Sequence, residues 1–300
     1  MFPIIPAASA ADSGNQEGIF GYGTGASGVT AVTNLVSNAG VVSSDVAGVG
    51  TARSSLAACE YGGDKGIFGY GAATYSLTNL VSNSGVVGTD VTGVGTGRRY
   101  PAACSYGDDK GIFGYGYDGS SLSMTNLVSN TGVVGTDVTG VGTARRDLPA
   151  TEYGGDKGIF AFGYTGGGLS GCENMSNLVS NTGVVSSDVA GVGTARNSLA
   201  ACEYGGDKGI FGYGYTDSRV SMTNLVSNSG VVATDTTGVG TARERPAACE
   251  YGGDKGIFGF GHDGSNSVSM TNLVSNAGVV GTDVTGVGTG RGYLAACSFN

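Results

Sequence analysis

The chain has 300 residues, of which 59 are glycine and only 5 are proline; 40% are hydrophobic and 13% are charged. Disordered chains combine low hydrophobicity with high charge, so this composition excludes them, and the glycines are expected to form turns. Acidic residues outnumber basic ones by 24 to 15, giving a net charge of −9, and this excess argues against nucleic acid and anionic membrane surfaces as partners.

The chain begins with an apolar segment, residues 1–5 (MFPII). Residues 1–11 lack the basic start and the long apolar core of a signal peptide, and no apolar run in the chain reaches the roughly 18 residues that a membrane span requires. An exposed apolar segment normally seeks burial. We therefore expect residues 1–17 to form an N-terminal arm in which Phe2, Ile4 and Ile5 take part in assembly.

Residues 18–300, which we expect to form a single domain, consist of one unit that occurs six times. The phrase Gly-Ile-Phe recurs at intervals of 45 to 51 residues, and Asn-Leu-Val-Ser-Asn follows it in every unit. A period in this range is typical of propeller blades and solenoids. Gly-Ile-Phe begins at Gly18, Gly66, Gly111, Gly158, Gly209 and Gly256.

Each unit is predicted to contain four short antiparallel strands. In the fifth unit, residues 199–204 and 209–213 are joined by Gly-Gly-Asp-Lys, which indicates a hairpin. Residues 222–227 and 231–236 are rich in apolar and β-branched residues and are joined by Asn-Ser-Gly, which indicates a second hairpin. No segment has enough helical periodicity for a crossover helix, so the sequence predicts an all-β array of small sheets.

Two phrases of the unit carry a family resemblance. Residues 112–121 (IFGYGYDGSS) look like the kelch stretch that runs from the second strand into a Tyr-Asp-Gly loop, and Thr143-Ala144-Arg145 looks like the Thr-Ala-Arg that opens the next kelch blade. The chain differs from kelch in having Gly-Tyr-Gly where kelch has a Gly-Gly doublet, and it has no tryptophan. The resemblance implies a six-bladed β-propeller with four antiparallel strands per blade, closed by the C-terminal strand.

The chain contains one more candidate inner strand than six blades need. The C-terminal residues 294–299 (LAACSF) match a first strand, but so do residues 6–9 (PAAS), which compare with residues 246–249 (PAAC). The surplus copy is either a loose terminal segment or a strand that is donated to a neighbouring copy of the protein.

The repeated cysteines and aspartates are expected to be structural. Five cysteines share one position, where other copies have Ser9 and Thr151, so we predict free, buried thiols at a site that requires a small residue. The repeated aspartate, for example Asp137, has no further carboxylates around it and is expected to cap a local turn. The five cysteines are Cys59, Cys104, Cys202, Cys249 and Cys297.

The units are poorly suited to catalysis. His262 is the only histidine, and most other polar residues recur in every unit, whereas catalysis needs an asymmetric set of a nucleophile, a base and an orienting group. The chain has neither a phosphate-binding loop after a parallel strand nor a histidine-rich metal motif. We therefore expect no enzymatic activity, no cofactor and no metal site.

Two connections differ among the six copies: the loop between the second and third strands, and the link between units. In an up-and-down blade both emerge at the same end of the strands, so one face of the array is variable and the other is nearly six-fold symmetric. Loops also vary for reasons unrelated to function, but this face is rich in Tyr and Arg, which interfaces favour. The candidate binding residues are Arg99, Tyr100, Tyr117, Asp118, Arg146, Asp147, Tyr215, Asp217, Arg219, Glu244, Arg245, His262 and Tyr293.

Two functions are compatible with these features. The favoured one is a structural protein that self-assembles or decorates a larger particle, such as a virion, a cell-surface layer or a filament, because near-identical repeats, low charge and an apolar arm suit assembly. The alternative is a recognition module that binds a carbohydrate or a protein through the variable face, where repeated sites would add avidity. The expected partners are further copies of the chain, other structural proteins or glycans, at an extracellular or virion-associated location.

Overall fold

A computed structural model describes residues 16–299, and their regular structure is almost entirely β. Six antiparallel sheets of three strands correspond to the six repeats. In every sheet the strand with Gly-Ile-Phe is the middle strand. It pairs on one side with an inner strand, Ala-Ala-Cys in most copies, and on the other side with an outer strand around Asn-Leu-Val.

The strands are numbered in chain order. The inner strands are β21 (Ala295–Phe299), β5 (Ala57–Tyr61), β8 (Ala102–Tyr106), β11 (Ala150–Tyr153), β14 (Ala200–Tyr204) and β17 (Ala247–Tyr251). The middle strands are β1 (Glu17–Gly21), β6 (Lys65–Gly69), β9 (Lys110–Tyr117), β12 (Lys157–Tyr164), β15 (Lys208–Gly212) and β18 (Lys255–Gly259). The outer strands are β4 (Thr33–Val36), β7 (Thr78–Val81), β10 (Ser121–Val128), β13 (Cys172–Val179), β16 (Thr223–Val226) and β19 (Thr271–Val274). A small sheet joins β20 (Arg291–Gly292), β2 (Thr24–Gly25) and β3 (Gly28–Val29), and a 3₁₀ turn spans Gly168–Gly171.

The first hairpin of the unit is confirmed. In the fifth unit β14 pairs with β15 in a register that runs from Ala200 opposite Gly212 to Tyr204 opposite Lys208. The turn between them contains Gly205 and Gly206, whose φ angles are 68° and 72°. Only glycine adopts such left-handed angles at little cost, which is why the Gly-Gly pair marks this turn so clearly.

The prediction of a fourth continuous strand was wrong. The segment after β16 forms only two isolated bridges, Val226 with Val232 and Thr223 with Thr236. The bridged residues are three positions apart on β16 but four apart on the second segment, and one extra residue interrupts a regular ladder. The side-chain amide of Asn224 fills the gap by donating to the Ala233 carbonyl, 3.0 Å away. The same two bridges, or their equivalents, occur in all six units.

Contacts between the sheets follow a cycle. The inner strands contact one another in the order β21, β5, β8, β11, β14 and β17, and β17 contacts β21 again. The C-terminal strand β21 pairs with β1, from Ala295 opposite Gly21 to Phe299 opposite Glu17, and so completes the first sheet. The expected assembly residues Phe2, Ile4 and Ile5 and the surplus strand at residues 6–9 lie outside the described residues.

The core lies between neighbouring sheets. Cys297, which is buried, packs against Gly66 at the start of the next middle strand, where the Cβ atom of any larger residue would come within 2.5 Å of the sulfur. This contact explains why the inner-strand position requires a small residue and the facing position requires glycine. Aromatic rings also pair from sheet to sheet, as Tyr22 does with Phe68 at 5.1 Å, and Phe260 with Phe20 at 5.1 Å. The five predicted inner-strand cysteines are free and buried.

Buried arginines connect each sheet to the next. Arg196 is 0% exposed and its guanidinium lies 4.4 Å from the ring centre of Phe162. It donates to the Tyr213 carbonyl at 3.0 Å and to the Asn224 side-chain oxygen at 2.6 Å, both in the following unit. The equivalent arginines, each no more than 1% exposed, are Arg53, Arg98, Arg145, Arg243 and Arg291.

The sequence suggested that the repeated aspartate caps a turn of its own unit. In the structure it instead binds a residue of the preceding unit. Asp235 accepts hydrogen bonds from the backbone N–H and the hydroxyl of Thr194, at 2.9 and 2.7 Å, in the preceding unit. It also lies 3.6 Å from Arg196. Because carboxylates accept several hydrogen bonds at once, this residue is well suited to hold two units together, which local sequence cannot reveal.

Candidate binding cavity

A cavity of about 650 Å³ opens where the links between sheets meet the ends of the middle strands. Ten of the residues predicted for the variable face line it. The lining consists of Arg99, Tyr100, Tyr117, Arg146, Asp147, Tyr164, Gly168, Cys172, Asn197, Ser198, Tyr215, Arg219, Glu244, Arg245 and Tyr293.

Three predicted residues do not line this cavity. Asp118 is exposed in its loop, where its carboxylate accepts from the Ser120 N–H at 3.1 Å. Asp217 is exposed and bonded to the Thr216 hydroxyl. His262 accepts from the N–H of Gly264, so the neighbouring loop holds its ring.

Five lining residues were not among the predicted ones: Tyr164, Gly168, Cys172, Asn197 and Ser198. Tyr164 could have been found, because it follows the last glycine of the middle-strand motif just as Tyr117 and Tyr215 do. Gly168 and Cys172 lie in the longest insertion of the chain, for which no other unit offers a comparison.

Backbone hydrogen bonds between successive links fix the cavity floor. The N–H of Tyr100 donates to the Ser55 carbonyl at 2.8 Å, and that of Arg245 donates to the Ser198 carbonyl at 2.8 Å. Ser55, Tyr100, Ser198 and Arg245 have φ between 56° and 58°, a left-handed conformation that costs a non-glycine residue on the order of 1–3 kcal/mol. Asp147 and Tyr293 also have this left-handed conformation. The hydrogen bonds between successive links offset the cost of this strained conformation.

Arginine and tyrosine side chains alternate along one wall, which we call the Arg–Tyr ladder: Tyr100, Arg99, Tyr117, Arg146 and Tyr164. The Arg99 guanidinium lies 5.5 Å from the ring centre of Tyr100 and 5.1 Å from that of Tyr117. The Arg146 guanidinium lies 4.3 Å from the ring of Tyr117 and 4.9 Å from that of Tyr164. Backbone bridges of Arg99 with Tyr117 and of Arg146 with Tyr164 bring these partners together. Cation–π attraction then holds the side chains in place.

Glu244 organises a second cluster of the lining. This buried carboxylate lies 2.8 Å from Arg219 and 3.4 Å from Arg245. Arg245 also lies over the ring of Tyr293, at 4.1 Å, and Arg219 lies 5.8 Å from the ring centre of Tyr215. One carboxylate therefore serves two guanidinium groups.

The lining carries more positive than negative charge. It contains four guanidinium groups and two carboxyl groups, those of Asp147 and Glu244. Burial raises the pKa of Asp147 to about 6, against the opposing effect of Arg245 and Arg146. The Nε atoms of Arg99, Arg219 and Arg245 are buried and have no hydrogen-bond partner among the described residues. The cavity is therefore an electropositive site in an acidic protein.

A second, narrower space of about 80 Å³ lies between the inner strands. Carboxyl groups of Glu60, Glu152, Glu203 and Glu250 line it, and the equivalent positions of the other two sheets hold Ser105 and Ser298. Burial, reinforced by repulsion between these carboxyl groups, raises the pKa of Glu60 to about 7, of Glu152 to about 8 and of Glu203 to about 9.

Comparison of the chain with protein-family models and with curated proteins gave no match. Within residues 16–299, no helix is long and apolar enough to cross a membrane. The same residues contain no group of three or more His, Cys, Asp or Glu side chains arranged to hold a metal ion.

Proposed function

We propose that the six sheets are the blades of a kelch-like β-propeller and that its variable face is a recognition module without catalytic activity. The propeller is supported by the cyclic order of contacts among the inner strands and by the pairing of β21 with β1. The ring contact between Phe260 and Phe20, which joins the last sheet to the first, supports closure independently.

The observation that carries the recognition function is the cavity of about 650 Å³ on the face where the six copies differ. Small-molecule sites typically measure about 300–1,000 Å³. Tyrosine and arginine, which dominate the energetics of many interfaces, provide nine of its lining residues. A carbohydrate is the ligand that we propose.

The chemistry of the lining favours binding over catalysis. No histidine lines the cavity. Its one thiol, Cys172, accepts a hydrogen bond from the Asn197 amide, and burial raises its pKa, which keeps it protonated and weakly nucleophilic. The carboxylate of Glu244 is engaged with two arginines and is not free to act as a base.

A glycan array tests the recognition function. We expect the wild-type chain to bind a restricted set of glycans and the double variant Tyr117→Ala/Tyr164→Ala to lose that binding. Val133→Ala is the matched control, because Val133 is 65% exposed at the far end of β10 from the cavity. An array without bound glycans, or equal binding by the cavity variant, would overturn the proposal.

Self-assembly is the second candidate function, and a ring of valines supports it. Single exposed apolar side chains are common, but here six equivalent valines are each 64–66% exposed: Val41, Val86, Val133, Val184, Val231 and Val279. Such a crown suits contact with a second copy or with another structural protein. The larger particle, whether virion, cell-surface layer or filament, stays a prediction.

Light scattering after size-exclusion chromatography tests self-assembly over a hundredfold range of protein concentration. Assembly predicts a mass that rises with concentration and returns to that of a single chain when three alternate crown valines, Val41, Val133 and Val231, are replaced by serine. A single-chain mass at every concentration would rule the second candidate out.

A further inference from the structure

We propose that the ligand of the cavity is an acidic oligosaccharide and that Arg99 and Arg146 bind its negative charge. This inference rests on the recognition function proposed above and adds the class of ligand and the side chains that select it.

Positive charge is distributed unevenly over the chain. The 15 basic residues are five lysines and ten arginines. Each lysine is paired with the aspartate that precedes it in a turn. Six arginines are buried between the sheets, and the remaining four all line the cavity. In a chain with a net charge of −9, the accessible guanidinium groups are thus concentrated at one site, which attracts anions.

The four arginines of the cavity fall into two pairs with different partners. Arg219 and Arg245 share the single negative charge of the Glu244 carboxylate, so both already have an ion-pair partner. Arg146 donates to the Ser121 hydroxyl at 3.2 Å and lies 4.0 Å from Asp147, at the limit of an ion pair.

Arg99 makes no ion pair with any described residue, and its buried Nε atom has no hydrogen-bond partner. Tyr117 lies between Arg99 and Arg146 and holds both guanidinium groups in place. Planar guanidinium groups with fixed orientation bind carboxylates and similar anions through paired hydrogen bonds. The Arg–Tyr ladder is therefore the part of the cavity that binds the anion.

The backbone at the cavity favours a sugar over an acidic peptide as the ligand. Extended peptides commonly bind by adding a strand to a free sheet edge, but the link backbone at this cavity is already bonded. The N–H of Arg99 donates to the Tyr117 carbonyl, and that of Arg146 donates to the Tyr164 carbonyl. What remains is a set of aromatic rings with side-chain amide, hydroxyl and carboxylate groups, which suits a hydroxyl-rich small ligand.

Isothermal titration calorimetry of the full chain tests the inference. The probes are 3′-sialyllactose, trigalacturonate and a hyaluronan tetrasaccharide, with lactose, maltotriose and chitotetraose as neutral counterparts and hexaglutamate as the acidic peptide. We expect at least one acidic oligosaccharide to bind about tenfold or more tightly than every neutral one. Raising the salt concentration from 50 to 500 mM should weaken that binding.

Arg99→Gln/Arg146→Gln is expected to reduce binding of that probe by at least about tenfold, whereas Lys157→Gln should leave it unchanged, because Lys157 begins β12 at the end of the strands away from the cavity. If the double variant does not fold, the comparison of acidic with neutral probes on the wild-type chain decides the matter.

Three outcomes would overturn the inference. Equal affinity for acidic and neutral sugars would be compatible with the proposed recognition function but would reject the anion-binding site. Tighter binding of hexaglutamate than of any sugar would assign the cavity to an acidic peptide. No binding of any acidic probe would reject the ligand class, and the glycan array would then decide separately on recognition.

Discussion

Adjacent arginines in the links between sheets have opposite environments. Arg145 is fully buried, lies 4.5 Å from the ring of Tyr115 and donates to the Asn177 side chain at 2.7 Å. Arg146, the next residue, belongs to the ladder that lines the cavity. Because successive side chains of an extended segment point in opposite directions, one arginine joins the sheets while its neighbour faces the cavity.

This contrast gives a matched pair of substitutions. Arg145→Met should destabilise the fold by about 3 kcal/mol, because it leaves the buried Asn177 oxygen without its charged donor and removes the guanidinium group that lies 3.9 Å from Asp188. Arg146→Met should leave the melting temperature within about 2 °C of wild type and weaken ligand binding. Thermal melts followed by circular dichroism measure the first effect and calorimetric titration the second. Equal melting temperatures for the two variants would contradict the assignment.

The inner-strand carboxyl groups make stability depend on pH. The pKa values of Glu60, Glu152 and Glu203 are raised to about 7, 8 and 9, above the usual value near 4.3 that applies in the unfolded chain. Folding therefore favours their neutral forms. This contribution is complete below pH 4 and is lost as the pH rises through 7 to 9.

We expect the melting temperature to fall by at least about 5 °C between pH 5.5 and pH 9, since a shift of one pKa unit corresponds to about 1.4 kcal/mol. The variant Glu152→Gln/Glu203→Gln should show a clearly smaller fall, which does not vanish because Glu60 and the buried thiols, whose pKa values burial also raises, remain. The carboxylates with lowered pKa, such as Asp235, titrate below this window and do not interfere. A wild-type melting temperature that is constant or rises with pH would contradict the expectation.

At the scale of elements, the strand that ends the chain completes the sheet that begins it. Phe299 and Cys297 in β21 are buried, at 0% and 4% exposure, and Cys297 packs against Gly66 of the second sheet. The strand thus supports two sheets at once, and its pairing removes a free edge of β1.

Truncation measures what this strand contributes. Removal of residues 294–300 should lower the melting temperature by at least about 10 °C or abolish the cooperative transition, because several buried side chains and a full row of backbone hydrogen bonds are lost. Removal of Asn300 alone is the control. If the truncated chain melts like wild type, β21 does not complete the first sheet.

The elements also show how far sequence reasoning reaches. Gly205-Gly206 predicted a hairpin correctly because glycine marks left-handed turns. The β-branched residues 231–236 suggested a fourth strand, but the extra residue and the Asn224 amide that replaces ladder bonds depend on register, which composition does not encode. Asp235 was misassigned for the same reason, since its partner Thr194 lies 41 residues away.

At the scale of the whole molecule, comparison of the six copies separates two groups of residues. Residues that recur in every copy hold the sheets together, and residues that differ among the copies lie on the variable face. Comparing the six copies indicated a variable face, and ten of the thirteen residues selected in this way surround one cavity. The sequence could not tell a cavity arginine such as Arg146 from its buried neighbour Arg145. That distinction depends on how the links pack against adjacent sheets.

The most direct test of recognition by the variable face of a closed ring is a crystal structure of the full chain grown with 3′-sialyllactose, or with the acidic probe that binds most tightly. We predict six blades closed by β21, with the ligand in the cavity and its carboxylate within hydrogen-bond distance of Arg99 and Arg146. A ligand seated on the valine crown or between the inner strands, or a chain whose first and last sheets do not meet, would contradict this prediction.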